Sequence, residues 1–261
     1  MKCIVLIALL VGSIGDAVLA STAPLALSYR VIDKAPQSRT AFVQGFTFDA
    51  GDVLLGTGGY GESLLQRIDA ETHRVMQQEA LPRRYFGEGV AVSDDRILQL
   101  TWRSGVVLVR DRTSLKVIGQ FQRSGESWGI TRSPSHLIVS DGSATLSFYH
   151  PAAFELSHRL DVSEAGKPLP LLNELEWIDG LIWANVWYQD RIVAIDPISG
   201  EVLASLDLTG LLPRSERALN TDVLNGIAYD PRSDAIWVTG KRWPWRYRIE
   251  ILPTRPKGSA H

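Results

Sequence analysis

Cysteine is almost absent from this sequence of 261 residues, and Cys3 is its sole representative. Because Cys3 lies in a segment that we expect to be removed, the mature chain excludes disulfide bonds, thiolate catalysis and thiolate-bound zinc. Basic runs are also missing, and a formal net charge of −2 provides none of the cationic surface that binds nucleic acid. We therefore predict no nucleic-acid partner.

A long apolar run occurs only at the N-terminus. Lys2 precedes an apolar stretch over residues 4–14, and Val18-Leu19-Ala20 follows as a cleavage site. The stretch is too short to span a bilayer, although an uncut membrane anchor is the alternative. We predict a signal peptide over residues 1–20 and export to the periplasm or the exterior. The mature residues 21–261 are predicted to form one monomeric domain with no membrane association.

Two common catalytic motifs are missing as well. The sequence contains neither the H-E-x-x-H pattern of zinc peptidases nor the G-x-S-x-G pattern of serine hydrolases. Its five histidines are scattered without a paired spacing. We therefore predict neither a catalytic metal nor a serine nucleophile.

A short unit that recurs along the chain is the strongest signal present. The copies are Gln44-Gly45-Phe46, Glu88-Gly89-Val90, Trp128-Gly129-Ile130, Asn173-Glu174-Leu175 and Asn225-Gly226-Ile227. Positions 45, 89, 129, 174 and 226 recur at the period of about 40 to 50 residues that is typical of propeller blades. A β-sandwich of similar strand count is the alternative, but it does not require a fixed period.

Each copy is followed by apolar runs and polar turns that predict three further strands. The last copy lacks a fourth strand, whereas Leu27–Ile32 alternates as a strand and has no partner nearby. We therefore predict an all-β, five-bladed β-propeller whose ring is closed by this N-terminal strand. Trp177, Trp183 and Trp237 lie inside strands and are predicted to pack between blades.

Residues that begin the first strand of a blade and residues that end the second strand share one face of a propeller. The beginning set is Phe42, Gln44, Phe86, Glu88, Trp128, Asn173, Glu174 and Asn225. The ending set is Thr57, Trp102, Asp141, Asn185, Trp187 and Lys241. Together they predict a small-molecule pocket with aromatic walls and a few convergent polar groups.

Glu88 is the candidate catalytic group of this pocket. It stands between two glycines and beside Phe86, where close backbone and an apolar neighbour restrict water and should raise the carboxyl pKa. The alternative is a structural glutamate that accepts hydrogen bonds from backbone N–H groups.

These residues resemble the glutamine cyclotransferases of plants and bacteria over roughly residues 29 to 252. The stretches that carry the resemblance are Phe42-Val43-Gln44-Gly45-Phe46, Tyr85-Phe86-Gly87-Glu88-Gly89, Gln99-Leu100-Thr101-Trp102, Glu126-Ser127-Trp128-Gly129, Leu172-Asn173-Glu174-Leu175-Glu176, Trp183-Ala184-Asn185-Val186-Trp187, Leu224-Asn225-Gly226-Ile227-Ala228 and Thr239-Gly240-Lys241. Each stretch alone is weak, but their common order is specific.

The resemblance implies an acyltransferase that closes the N-terminal glutamine of peptides or proteins into pyroglutamate and releases ammonia. It places proton transfer on Glu88, and the predicted substrate-binding residues are Phe42, Gln44, Phe86, Trp102, Trp128, Asn173, Trp187 and Lys241. No cofactor is expected, although the central channel could hold a structural divalent cation. The oxyanion donors stay open among Gln44, Asn173 and the indole N–H groups of Trp102, Trp128 and Trp187. Lys241 could bind a carbonyl oxygen or orient Glu88.

Two alternatives of other classes remain at this point. In a metal-dependent, lactonase-like propeller, Glu88, Asn173 and Asn225 would be oxygen ligands of a divalent cation. The lactonase-like hypothesis explains neither the tryptophans at strand ends nor Lys241. In a non-catalytic propeller, the same aromatic residues would bind a peptide or a sugar.

Overall fold

The computed structural model describes residues 23–252, and within them the fold is all-β. One 3₁₀ helix, Arg214–Glu216, is the sole helical element of that range. No helix between residues 23 and 252 is long and apolar enough to cross a bilayer. The predicted leader, residues 1–20, lies outside the described residues.

The strands fall into five consecutive groups after the first strand, β1 (Leu25–Pro36). Groups one to three are β2 (Val43–Asp49), β3 (Asp52–Thr57), β4 (Leu64–Asp69) and β5 (Val75–Ala80); β6 (Gly87–Ser93), β7 (Arg96–Thr101), β8 (Val106–Asp111) and β9 (Val117–Gln122); and β10 (Ile130–Arg132), β11 (Leu137–Val139), β12 (Thr145–His150) and β13 (Glu155–Asp161). A short hairpin follows, β14 (Ser163–Glu164) and β15 (Lys167–Pro168). Group four is β16 (Leu172–Ile178), β17 (Leu181–Val186), β18 (Arg191–Ile195) and β19 (Val202–Asp207), and group five is β20 (Leu224–Asp230), β21 (Ala235–Gly240) and β22 (Trp245–Leu252).

Groups one to three are separate four-stranded antiparallel sheets in sequence order. Groups four and five are joined through β1 into one eight-stranded sheet. Residues 28–36 of β1 pair antiparallel with β22, and residues 25–27 pair parallel with β19. The strand that lacked a local partner in the sequence therefore pairs with β22, the last strand within residues 23–252, and with β19 of group four.

The first strands of the five groups lie side by side at the centre. Strand β2 contacts β6 and β20, β10 contacts β6 and β16, and β16 contacts β20. The approach is close: a Cβ atom added at Gly89 would lie 2.7 Å from the backbone nitrogen of Ile130, and one at Gly129 would lie 2.1 Å from the carbonyl oxygen of Asn173. Glycine therefore recurs at these positions because neighbouring backbones occupy the space of a side chain.

Two buried glutamates of β16 connect these central strands. Glu174, at the repeat position where other copies have glycine, accepts hydrogen bonds from the N–H of Phe46 at 3.2 Å and of Ile227 at 2.8 Å. Glu176 accepts one from the N–H of Tyr229 at 2.9 Å. Burial raises the pKa of both carboxyls. Each glutamate therefore links its own strand group to other groups by accepting hydrogen bonds from their backbone N–H groups.

Apolar residues of neighbouring groups fill the space between the sheets. Trp183 is buried in the cluster between groups four and five, Trp177 packs against the cluster of groups three and four, and Trp237 packs against that of groups one and five. The prediction that these three tryptophans pack between strand groups is confirmed. Their burial contributes roughly 25 cal/mol per Å² of apolar area removed from water.

Aspartate turns end several third strands. Asp69 accepts hydrogen bonds from the N–H groups of Glu71 and Thr72, and Asp196 accepts them from those of Ile198 and Ser199. A carboxylate that bonds its own turn supplies the partners that the reversing backbone needs. These turns lie at the opposite end of the groups from Glu88.

Residues 208–223 connect β19 to β20. Leu208, Leu211 and Leu212 are buried in the core between groups four and five, whereas Leu219 is exposed. The end of the connector reaches the candidate site, because the N–H of Asp222 donates to the carbonyl of Lys241 at 3.0 Å. Its first half is thus a part of the core.

The buried carboxyl of Glu176 predicts a pH-dependent stability. Burial raises its pKa to about 8, above the value of about 4.3 expected in the unfolded chain. Its contribution to stability is therefore present below pH ~4.3 and is lost as the pH rises towards 8. We expect the free energy of unfolding of the native chain to fall relative to that of Glu176→Gln between pH 5 and pH 8, by up to about 1.4 kcal/mol per pH unit.

Urea denaturation at each pH measures this difference. The exposed Glu155 offers a control, because Glu155→Gln should leave the pH dependence of the native chain unchanged. Parallel curves for the native chain and Glu176→Gln would show that Glu176 titrates normally.

Candidate functional site

Backbone hydrogen bonds bring the beginnings of first strands against the ends of second strands. The N–H of Gly58 donates to the carbonyl of Phe42, that of Trp102 to Phe86, that of Trp187 to Leu171 and that of Lys241 to Val223, at distances of 2.8, 3.0, 2.8 and 2.9 Å. Side chains from both ends of these hairpins therefore meet on one face. This is the face opposite the aspartate turns.

Seven of these side chains form a closed circuit of contacts, which we call the rim ring: Phe42, Phe86, Trp102, Glu126, Trp128, Trp187 and Lys241. Ring centroids lie 6.1 Å apart for Phe42 and Phe86, 5.6 Å for Phe86 and Trp102, and 5.1 Å for Trp128 and Trp187. Two polar residues complete the circuit. Glu126 joins Trp102 to Trp128, and Lys241 joins Trp187 to Phe42.

Glu88 lies buried at the start of β6, with a relative exposure of 3%. The side-chain amide of Gln44 donates to Glu88 Oε1 at 3.1 Å, and Gln44 itself accepts from Asn225 Nδ2 at 3.3 Å. The pKa of Glu88 is raised well above its usual range, mainly by burial, while Lys241 lowers it and Glu126 raises it. A carboxyl whose pKa is raised in this way holds its proton more tightly than an exposed glutamate does.

Lys241 is a buried cation, with a relative exposure of 4%. Its Nζ lies 4.9 Å from the ring centroid of Phe42 and 5.9 Å from that of Trp187. Burial lowers its pKa, and the charges of Glu88 and Asp222 oppose that effect. No ion pair within 4.0 Å joins Lys241 Nζ to a carboxylate of the described residues, so the ammonium can donate to another group.

The structure divides the candidate oxyanion donors into engaged and free groups. Trp102 Nε1 and Trp128 Nε1 both donate to Glu126, and Gln44 Nε2 donates to Glu88. In contrast, the indole N–H of Trp187 and the side-chain amide of Asn173 donate to no other group within residues 23–252, and the Oδ1 atom of Asn173 is buried without a partner. Donors for a substrate oxygen are therefore Trp187, Asn173 and Lys241.

Sequence reasoning missed Glu126 and an outer aromatic layer. Glu126 belongs to one of the stretches that carry the family resemblance, two residues before Trp128, but it was not assigned to the pocket. Tyr60, 57% exposed, contacts Phe86 with a centroid distance of 5.5 Å, and Tyr188, 69% exposed, stacks on Trp187 at 4.1 Å. These tyrosines extend the rim ring towards solvent, but their positions after a glycine turn and after a strand end are typical of surface loops.

No group of three or more His, Cys, Asp or Glu side chains in residues 23–252 is arranged to hold a metal ion. The histidines are less scattered than the sequence indicates, because the rings of His136, His150 and His158 meet on group three, with centroids 5.4 to 5.7 Å from His136. A cavity of about 490 Å³ lies elsewhere, between groups four and five. Leu27, Trp183 and Ile249 line it, and it includes no residue of the rim ring.

Comparison with known proteins identifies the family of this chain. A family model described as glutamine cyclotransferase matches residues 4–251. A glutaminyl-peptide cyclotransferase of Arabidopsis thaliana is 34% identical over 252 residues, which cover 92% of this chain and 78% of the plant protein. The crystal structure of Myxococcus xanthus glutaminyl cyclase is 31% identical with a TM-score of 0.83, covering 89% of this chain and all of that one. This chain therefore belongs to the glutamine cyclotransferase family.

Proposed function

We propose that the site inside the rim ring closes the N-terminal glutamine of peptides and proteins into pyroglutamate and releases ammonia. The family has this cyclotransferase activity, and the chain is accordingly a transferase. The observation that carries the assignment of the site is Glu88, a buried carboxyl with a raised pKa beside aromatic walls and a free ammonium.

The proposed reaction transfers one acyl group within the substrate. The α-amine nitrogen attacks the side-chain amide carbon, so a C–N bond forms and the amide carbon becomes tetrahedral. Glu88, in its ionised form, takes a proton from the attacking nitrogen. It returns that proton to the amide nitrogen, whose bond to carbon then breaks to release ammonia. The raised pKa of Glu88 suits both transfers, because it lies closer to those of the reacting groups.

Charge that develops on the amide oxygen needs nearby donors. We assign this role to Lys241 Nζ together with the free N–H of Trp187, since the other indoles of the rim ring are engaged by Glu126. A buried ammonium stabilises an oxyanion more strongly than an exposed one, because little solvent screens it. Asn173 then remains to bind the departing amide nitrogen or the peptide carbonyl.

The aromatic side chains have a steric task in this mechanism. A glutamine side chain must curl back on its own amine before it can cyclise, and walls that fit the curled form supply part of the proximity effect. Phe42, Phe86 and Trp187 offer such walls. They also limit access of water, which would otherwise hydrolyse the amide to glutamate.

The role of Glu88 is tested by Glu88→Gln. We expect this variant to fold normally and to lose on the order of 10² to 10⁴ in kcat, as is usual when a general acid and base is removed. Ammonia release from glutaminyl dipeptides measures the effect, and circular dichroism checks the fold. Glu155→Gln serves as the matched exposed control and should keep full activity. Turnover of Glu88→Gln at the native rate would exclude Glu88 from proton transfer.

We further propose that catalysis needs no metal ion. Prolonged dialysis against EDTA should leave ammonia release within about twofold of its starting value, because the proposed steps use Glu88 for proton transfer and Lys241 with Trp187 for charge stabilisation. A loss of activity that a divalent ion restores would instead favour the metal-dependent, lactonase-like alternative. A non-catalytic binding propeller would release no ammonia in either condition.

For the architecture, we propose that the five strand groups are blades of a β-propeller and that β1 closes the ring. This proposal is supported by the contacts of the five central strands and by the pairing of β1 with β22. A mature chain that starts at residue 37 would leave the edge of β22 unpaired, and exposed edges promote aggregation.

We therefore expect this truncated chain to lose several degrees of Tm and to aggregate, as thermal unfolding and light scattering would show. A synthetic peptide of residues 23–36 should restore part of the loss. A truncated chain as stable as the full mature chain would contradict closure by β1.

A further inference from the structure

We propose that Glu126 is a positioning residue for the cyclisation: its carboxylate fixes the indoles of Trp102 and Trp128 as one wall of the glutamine pocket and holds a negative charge near Glu88. The proposal rests on the proposed role of Glu88. It also gives a function to the one acidic residue of the rim ring that the sequence did not single out.

One carboxylate oxygen serves both indoles. Glu126 Oε2 accepts the N–H of Trp102 at 2.9 Å and that of Trp128 at 3.1 Å. The other oxygen, Oε1, accepts Arg103 Nε at 2.8 Å. Charge-assisted hydrogen bonds are roughly twice as strong as neutral ones, so both indole planes are oriented by the same group.

The aromatic part of the rim ring is interrupted at this place. Phe86 contacts both Phe42 and Trp102, and Trp128 contacts Trp187. No ring contact joins Trp102 to Trp128. Glu126 is the connection across that interval. Without its carboxylate, the two indoles lose their common acceptor and can rotate independently.

Arg103 supports Glu126 from the solvent side. Its guanidinium lies 3.8 Å from the ring centroid of Trp102 while it also pairs with Glu126. The arginine thus covers the outer face of the same indole whose N–H Glu126 accepts. Phe86, Glu126 and Arg103 therefore all contact Trp102. Such a constraint favours a single rotamer of the indole.

The charge of Glu126 also acts on the proposed catalytic carboxyl. Burial by itself raises the pKa of Glu126, but hydrogen bonds from Arg103 and the two indoles lower it below its usual range, so the group is ionised at neutral pH. The charged groups that act on Glu88 are Lys241, which lowers its pKa, and Glu126, which raises it. Glu126 therefore keeps the proton on Glu88 to a higher pH than Lys241 alone would allow.

Two substitutions separate the effect of Glu126 on the orientation of the indoles from the effect of its charge on Glu88. Glu126→Gln keeps one carbonyl oxygen that can accept both indole N–H groups, but it removes the charge. We expect its kcat–pH profile to have an acid limb at lower pH than that of the native chain, with KM changed by less than about threefold. Glu126→Ala removes acceptor and charge, and we expect KM for a glutaminyl dipeptide to rise on the order of tenfold as well.

The chain offers a matched control in Glu216. This residue also accepts an indole N–H, from Trp245, and pairs with a cation, Lys34, that lies 4.2 Å from the same ring centroid. Glu216→Gln changes a similar set of contacts outside the rim ring, and should leave KM and the pH profile unaltered. Lys241→Met should shift the acid limb in the direction opposite to Glu126→Gln. Loss of the ammonium raises the pKa of Glu88 and so moves the acid limb to higher pH.

The outcomes distinguish this proposal from that of Glu88. Tm and circular dichroism of each variant first establish that it is folded. If Glu88→Gln is inactive while both Glu126 variants behave as Glu216→Gln does, Glu126 has no positioning role and the assignment of Glu88 still stands. If Glu88→Gln turns over normally, the role of Glu88 fails first. An acid limb of Glu126→Gln that stays in place or moves to higher pH would overturn the charge effect.

Discussion

The close approach of the central strands is the constraint on which the rest of the structure depends. At Gly89 and Gly129 a neighbouring backbone occupies the position of a Cβ atom, so the strands can meet only where side chains are absent or reach across. Glu174 does reach across, and its two oxygens accept N–H groups of two other strand groups. Backbone therefore meets backbone at these two positions, and the large aromatic side chains of the candidate site lie at the strand ends.

The strand ends form the candidate site. Glu88 and Asn173 lie at the start of the central strands β6 and β16, on the face where the second strands end. Residues that end the second strands, such as Trp102 and Lys241, are brought beside them by hairpin hydrogen bonds. The site is thus carried by strand ends rather than by long loops, and preorganised groups of this kind lose little order when a substrate binds.

The sequence predicted the strand groups and most of the rim ring for the same physical reason. A period in glycine and apolar residues reports backbone approach, and position within that period places Glu88, Trp102 and Lys241 without any knowledge of side-chain contacts. Glu126 could not be found in this way, because it precedes its strand and its importance depends on two indoles that converge in space. The histidines of group three were missed likewise, since cross-strand contacts between residues 136, 150 and 158 leave no spacing signal.

The protonation of Glu88 follows from a balance that neither burial nor one neighbour sets alone. Burial favours the neutral acid, Lys241 favours the carboxylate and Glu126 opposes Lys241. The mechanism that we propose needs Glu88 ionised when the amine attacks, yet able to hold a proton long enough to pass it to the leaving nitrogen. Two fixed charges of opposite sign around one desolvated carboxyl meet both demands. The same two residues also close the rim ring, so orientation of the aromatic walls and control of the proton depend on one set of contacts.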